Sequence, residues 1–234
     1  MKNLNAEKII AEALKKYGNG RIILASSFSI EDQVLTHMLL KLEPAGRIFT
    51  LDTGRHFQET YDVQQRTQEQ LNCEFEVYSP DANNLSALLQ TNGPNCFYKS
   101  IEQRKMCCAV RKVEPLKKVL STVDAWICGL RQEQSITRTL IEPMEWDEAF
   151  GIYKINPLWN WREEQVWDYI KKHNIPFNVL QKQGFRSVGC APCTRPVKEG
   201  EDLRAGRWWW EDPEQKECGL HRASSYTARE GRQK

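Results

Sequence analysis

With 234 residues, 40% of them hydrophobic, the chain is long enough for one sizeable α/β domain or one domain with an appended lobe. A formal net charge of only +2 gives no ground for a nucleic-acid partner. The first residues lack an apolar secretory core, and no apolar run approaches bilayer-crossing length, so no membrane partner is expected and the expected location is cytoplasmic.

Ala6, Ile9, Ile10, Ala13 and Leu14 recur at helical spacing and predict an opening amphipathic helix. The apolar run Ile22 to Ala25 ends in Ser26-Ser27-Phe28-Ser29, after which Val34, Leu35, Met38 and Leu39 resume a helical period. A second run, Arg47 to Leu51, stops at Asp52-Thr53-Gly54, and polar helical sequence follows to about Leu71. A third, Phe75 to Tyr78, leads into another helical stretch, and a fourth spans Ala125 to Cys128 before Gly129. Alternating strands and helices imply parallel β-α-β units in a sheet covered on both faces. After Tyr153 the pattern changes: Asn156-Pro157-Leu158 precedes a helix carrying Trp161, Val166, Trp167 and Ile170. The last third is rich in Gly, Pro and Arg and reads as loops lying across the site, with residues 222–234 as a mobile tail.

In an open α/β sheet, ligands bind beyond the carboxyl ends of the strands. Three such ends read Ser26–Ser29, Leu51–Gly54 and Gly129–Arg131. The serine loop precedes a helix, and its N–H groups and hydroxyls suit a phosphate-like anion, although such a turn taken alone is more often plain turn chemistry and capping. The Walker pattern is absent. Basic residues gather toward the C-terminus at Arg186, Arg195, Lys198, Arg204, Arg207, Lys216 and Arg222, as a solvated surface or as a patch for a small, multiply charged anion.

In a reducing compartment the 8 cysteines read as metal ligands, a reactive thiol and core residues rather than disulfides. Adjacent Cys107-Cys108 and the pair in Cys190-Ala191-Pro192-Cys193 supply four thiolates, the count for a 4Fe–4S cube or a structural zinc. Adjacent cysteines splay apart and suit different corners of a larger cluster, and Lys105, Arg111 and Lys112 would offset its charge. Zinc and four unligated buried thiols stay open. Cys73, Cys96 and Cys128 read as core or loop residues. Cys218, in Glu217-Cys218-Gly219-Leu220-His221, has no partner at ligand spacing. It is a candidate nucleophile, with Arg204, Arg207 and His221 as sources of positive charge, or a merely exposed thiol. In Trp208-Trp209-Trp210 the three rings cannot all face one core, so at least one covers a ligand, a metal cluster or another subunit, unless simple packing accounts for them.

Together these segments resemble the assimilatory sulfonucleotide reductases, in particular the iron–sulfur branch that reduces adenosine 5′-phosphosulfate with thioredoxin. The matching stretches run in order from about Arg21 to His221 and include Gly129-Leu130-Arg131 with Gln134-Ser135 and Arg138, Gly189-Cys190-Ala191-Pro192-Cys193-Thr194 and Gly206-Arg207-Trp208-Trp209-Trp210. The resemblance implies an adenine nucleotide α hydrolase-like, Rossmann-type parallel sheet with a loop-rich C-terminal segment. It makes residues 1–221 one domain, with a catalytic segment around 204–221. It also implies one 4Fe–4S cluster on Cys107, Cys108, Cys190 and Cys193, with Cys218 as nucleophile and Lys112 between cluster and substrate. Arg204, Arg207 and His221 would hold the phosphosulfate. Ser26, Ser27, Phe28 and Ser29, the turn Leu51, Asp52, Thr53 and Gly54, and Arg131 with Arg138 would cradle the adenosine. A 3′-phosphorylated substrate, an ATP-consuming adenylating enzyme and a zinc-stabilised binding module are the alternatives, and a homo-oligomer stays open.

Overall fold

The computed structural model describes residues 5–134 and 141–212. Six strands form one sheet in the order β3-β2-β1-β4-β6-β5. The elements are α1 (Ala6–Tyr17), β1 (Ile22–Ala25), α2 (Ile30–Leu42), β2 (Ile48–Leu51), α3 (Gln58–Leu71), β3 (Glu76–Tyr78), α4 (Ala82–Asn92), α5 (Ile101–Cys108), α6 (Glu114–Leu120), β4 (Ala125–Ile127), β5 (Met144–Asp147), β6 (Ile152–Ile155) and α7 (Glu163–His173). All neighbours pair in parallel except β5, which runs antiparallel to β6 at the edge.

A parallel sheet must be covered on both faces, and its strands then bury side chains to either side in alternation. Ile22 and Leu24 of β1, Ile48 of β2, and Ala125 and Ile127 of β4 join the core built with α1, α2 and α7. The intervening Ile23, Phe49 and Trp126 pack on the opposite face against Leu116, Val119 and Leu120 of α6. The predicted strands therefore lie where the apolar runs put them, shortened by a residue at Arg47, Phe75 and Cys128. Trp161, expected within a helix, lies ahead of α7, whose N-terminus is fixed by Arg162 and Gln165. The β5–β6 pair is an addition the apolar runs did not indicate. Among the described residues no helix is long and apolar enough to cross a membrane.

A third buried group forms outside the sheet, from Leu88, Cys96, Phe97, Cys107, Cys190, Cys193 and Trp208, with Cys108, Val110 and Trp210 against it. Between α5 and α6 the helix widens into a π-helical turn, residues Ala109–Val113, a local form often found where a helix serves a site.

Candidate functional site

The strand order reverses beside β1, so the carboxyl ends of β1 and β4 diverge into a crevice. The ladder continues one residue past three strands into the site loops. Ser26 N donates to Phe49 O (2.8 Å), Asp52 N to Tyr78 O (3.0 Å) and Cys128 N to Ile155 O (2.9 Å). A cavity of about 280 Å³ lies there, lined by Ser26, Ser27, Phe28 and Ser29, by Leu51 and Thr53, by Gly129 and Arg131, and by Lys112, Arg204 and Arg207.

Each serine of the first loop has local work. Ser26 Oγ accepts from Phe28 N at 3.3 Å, and Ser29 caps α2 by accepting from Asp32 N at 3.2 Å. Ser27 donates through both its N–H and its hydroxyl to Asp32. The capping reading and the cavity reading therefore describe the same residues. Phe28 holds φ at +60°, the left-handed region that a bulky side chain rarely adopts, with its ring buried against Phe75 at 5.0 Å.

Asp52 and Gly54 do not line the cavity. Asp52 accepts from Gly54 N (2.8 Å) and from the Tyr61 hydroxyl (2.9 Å), and Gly54 takes φ +66°, so this pair shapes the turn that presents Leu51 and Thr53. Arg131 is buried and already paired, with Glu31 at 2.8 Å and Glu133 at 2.7 Å, so it stiffens one side of the cavity. Arg138, His221 and Cys218 lie outside the described residues.

Among the groups lining the cavity, His56, Glu163 and Gln181 belong to none of the sequence motifs. Burial lowers the His56 pKa, and its Nε2 lies 2.9 Å from Leu51 O; the neutral ring donates there and leaves a buried Nδ1 acceptor without a partner among the described residues. The only signal in the sequence is its place two residues beyond the Asp52-Thr53-Gly54 turn.

The four candidate ligand cysteines come together in the third buried group, and Cys96 joins them with no spacing signal to announce it. Thr53 Oγ1 lies 3.3 Å from Cys190 Sγ, and Trp208 N donates to Cys193 O at 3.2 Å. Burial pushes the Cys193 thiol up to about 12, an effect compounded by Cys190 and opposed by Arg207 and Lys112. Burial likewise raises Cys107, against the pull of Arg111. The Arg111 Nη1 donates to Thr53 O at 2.5 Å. Among the described residues no three His, Cys, Asp or Glu side chains form a group set around one metal ion. The donor chemistry nevertheless fits a thiolate-held iron–sulfur cluster. Four soft donor side chains come from two segments beside cationic side chains, and the indole N–H of Trp208 is buried in their midst with no acceptor among the described residues.

Two loops approach too closely for a side chain. A Cβ at Gly129 would sit 2.6 Å from Asp32 Oδ1, and one at Gly189, the residue before Cys190, would fall on the Arg207 guanidinium. Arg207 and Lys112 both line the cavity and act on the Cys193 thiol, so the cavity and the cysteine pocket share a cationic boundary.

A parallel sheet with a serine loop at its switch point and a cationic cavity places the chain in the adenine nucleotide α hydrolase-like class of α/β folds. A Candida glabrata FMN adenylyltransferase, solved with FAD and pyrophosphate, shares that fold at TM-score 0.58 and 18% identity, over 88% of this chain and 70% of its own. The chain belongs to the phosphoadenosine phosphosulfate reductase domain family, which matches residues 21–196. An adenosine 5′-phosphosulfate reductase from Allochromatium vinosum is 48% identical over 86% of this chain and 78% of its own length. One from Neisseria meningitidis is 45% identical over 85% and 82%. The solved phosphoadenylyl-sulfate reductase of Candida auris, a phosphate complex, superposes at TM-score 0.71 with 25% identity, over 83% of this chain and 91% of that one.

Proposed function

We propose that this protein reduces adenosine 5′-phosphosulfate to sulfite and AMP, through an S-sulfocysteine on Cys218 that thioredoxin resolves. The observation that carries the reading is the shared boundary: Lys112 and Arg207 line the cavity at the sheet's switch point and also act on the thiol of Cys193 behind it. The relatives named as reductases of the unphosphorylated nucleotide, at 45–48% identity, favour that substrate over its 3′-phosphorylated form.

The nucleotide's adenosine end lies against the Ser26–Ser29 loop and the Leu51–Thr53 turn. Lys112, Arg204 and Arg207, with His221, hold the phosphosulfate and balance the charge that substrate and thiolate bring together. The Cys218 thiolate attacks the sulfur atom. A sulfur–sulfur bond forms, the bond from sulfur to the bridging phosphate oxygen breaks, and AMP leaves with that electron pair. A thioredoxin thiolate then attacks Cys218 Sγ, releasing sulfite and forming a mixed disulfide, which the second thioredoxin thiol opens. The dithiol thus supplies both electrons. Losing one cationic contact costs roughly ten- to a thousandfold in rate.

Cys107, Cys108, Cys190 and Cys193 are the residues that would hold a 4Fe–4S cluster. When bound, the cluster supplies structural cross-linking of the two cysteine segments and an electrostatic influence on the adjoining cavity. Lys112 and Arg111, on the π-helical turn directly after the tandem cysteines, would counter its charge.

The test is mass spectrometry of the full chain incubated with adenosine 5′-phosphosulfate and no reductant. A sulfo adduct on Cys218 that disappears on adding reduced thioredoxin is the expected result. An unmodified Cys218 under conditions that release sulfite refutes the proposal.

A further inference from the structure

The Arg104 side chain, in the middle of α5, is 1% exposed and forms a bidentate ion pair with Glu211, itself 3% exposed: Nε to Oε1 at 2.9 Å and Nη2 to Oε2 at 2.7 Å. The two residues are 107 positions apart, and the pair ties the C-terminal segment to the helix that carries Cys107 and Cys108. The same guanidinium lies over the Trp208 ring, 4.6 Å from its centroid. Arg207 lies over the Trp208 ring as well, at 4.7 Å. Beyond Arg207 is Gly189, with no room for a Cβ between them.

Trp208 holds φ at +41°, a backbone conformation that a tryptophan adopts only when its surroundings impose it. A buried bidentate pair is well suited to impose it. Its geometry is planar and specific, and its contribution lies more in fixing one arrangement than in net stability. Arg207 itself has a buried Nε with no acceptor among the described residues, so ring packing takes the place of a hydrogen bond in orienting that nitrogen.

We infer that Arg104 and Glu211 are positioning residues for Arg207: their ion pair fixes Trp208, and Trp208 together with Gly189 fixes the Arg207 guanidinium in the cavity. Neither residue lines the cavity, so both act at a distance on the anion that Arg207 meets. The inference rests on the reading of the cavity as a site for an adenosine nucleotide with a second, terminal anionic group.

The experiment is a double-mutant cycle on the full chain, read as binding of ADP and of AMP by calorimetry. ADP carries a terminal phosphate that AMP lacks. The parent binds ADP more tightly, and Arg207→Ala removes that advantage. Glu211→Gln reduces the ADP advantage by roughly three- to thirtyfold and leaves AMP within about twofold. In the Arg207→Ala background the same Glu211→Gln change alters ADP binding by less than about twofold, because the group it positions is gone. Arg104→Lys, which keeps the charge but loses the planar fork, runs the same cycle should Glu211→Gln not fold. Equal weakening of ADP and AMP, or effects that simply multiply in the double variant, overturns the inference. So does a parent that binds ADP no better than AMP. Sulfonation of Cys218 is measured separately, so failure of the proposed reaction leaves this result legible.

Discussion

Asp32 accepts two hydrogen bonds from a single residue, Ser27, one from its N–H and one from its hydroxyl, both at 2.7 Å. The carboxylate sits in the first turn of α2, where the helix N-terminus favours negative charge, yet it is buried beside Glu31. One acidic side chain thus ties the serine loop to the helix it precedes. It also occupies part of the helix end that an incoming phosphate would otherwise use.

Burial raises the Asp32 carboxyl from 3.8 to about 6, against the opposing hydrogen bonds from Ser27. A folded-state value above the unfolded one means the native chain binds the proton more tightly, so this group's contribution falls as pH rises from about 4 to about 6. Between those limits the parent should lose roughly 2–3 kcal/mol relative to Asp32→Asn, which carries no charge. Urea unfolding of both proteins at pH 4 and pH 7.5 checks this. A pH-independent difference between them would show that folding does not raise the Asp32 pKa.

Gly129→Ala should disable the same corner. The added methyl would meet Asp32 Oδ1 at 2.6 Å and Glu31 Cβ at 2.9 Å, and neither can retreat without opening the Ser27 loop or the Glu31–Arg131 pair. Overpacking of this kind costs about 1–3 kcal/mol. Nucleotide affinity should fall at least about tenfold, because the displaced groups are those that shape the cavity. Calorimetric titration with AMP reads the loss directly, and parental affinity in the variant would mean the loop gives way freely.

Much of this corner is legible in the residues themselves. Four apolar runs of strand length, three of them ending in small hydrogen-bonding residues, specify parallel strands and put the ligand at their carboxyl ends. The β5–β6 pair is not legible in that way. Glu145 and Asp147 in β5 and Lys154 in β6 break the apolar run, and only the structure shows Lys154 buried and paired with Asp147 at 2.7 Å. Contacts between distant segments are likewise silent in sequence. Nothing in the spacing tells that Cys96 packs with the cysteine pairs, that α5 widens into a π-helical turn, or that Arg104 meets Glu211. Local periodicity reports what an element buries, not which remote segment arrives to cover it.

The cysteine pocket predicts a graded response to substitution. Cys190→Ser removes one of the four thiols proposed to hold a cluster, and on that proposal should abolish bound iron and the visible absorbance of the purified protein. Thr53→Val removes only the hydroxyl 3.3 Å from Cys190 Sγ, and should retain iron while losing it faster to chelators or air. Iron content per chain and the time course of bleaching measure both. Undiminished iron in Cys190→Ser would exclude that residue from the ligand set.

Phe28 supplies a test of backbone strain in the serine loop. The ring is buried against Phe75, so truncation to alanine should cost about 3–5 kcal/mol. In ordinary positions glycine is worse than alanine, because it loses more freedom on folding. At φ +60° the order should reverse, since a Cβ in the left-handed region costs roughly 1–2 kcal/mol that glycine avoids. Phe28→Gly should therefore unfold at a higher denaturant concentration than Phe28→Ala, although both are weaker than the parent. The usual order, with alanine the more stable, would mean that the loop adopts a relaxed backbone in solution, with Phe28 out of the left-handed region.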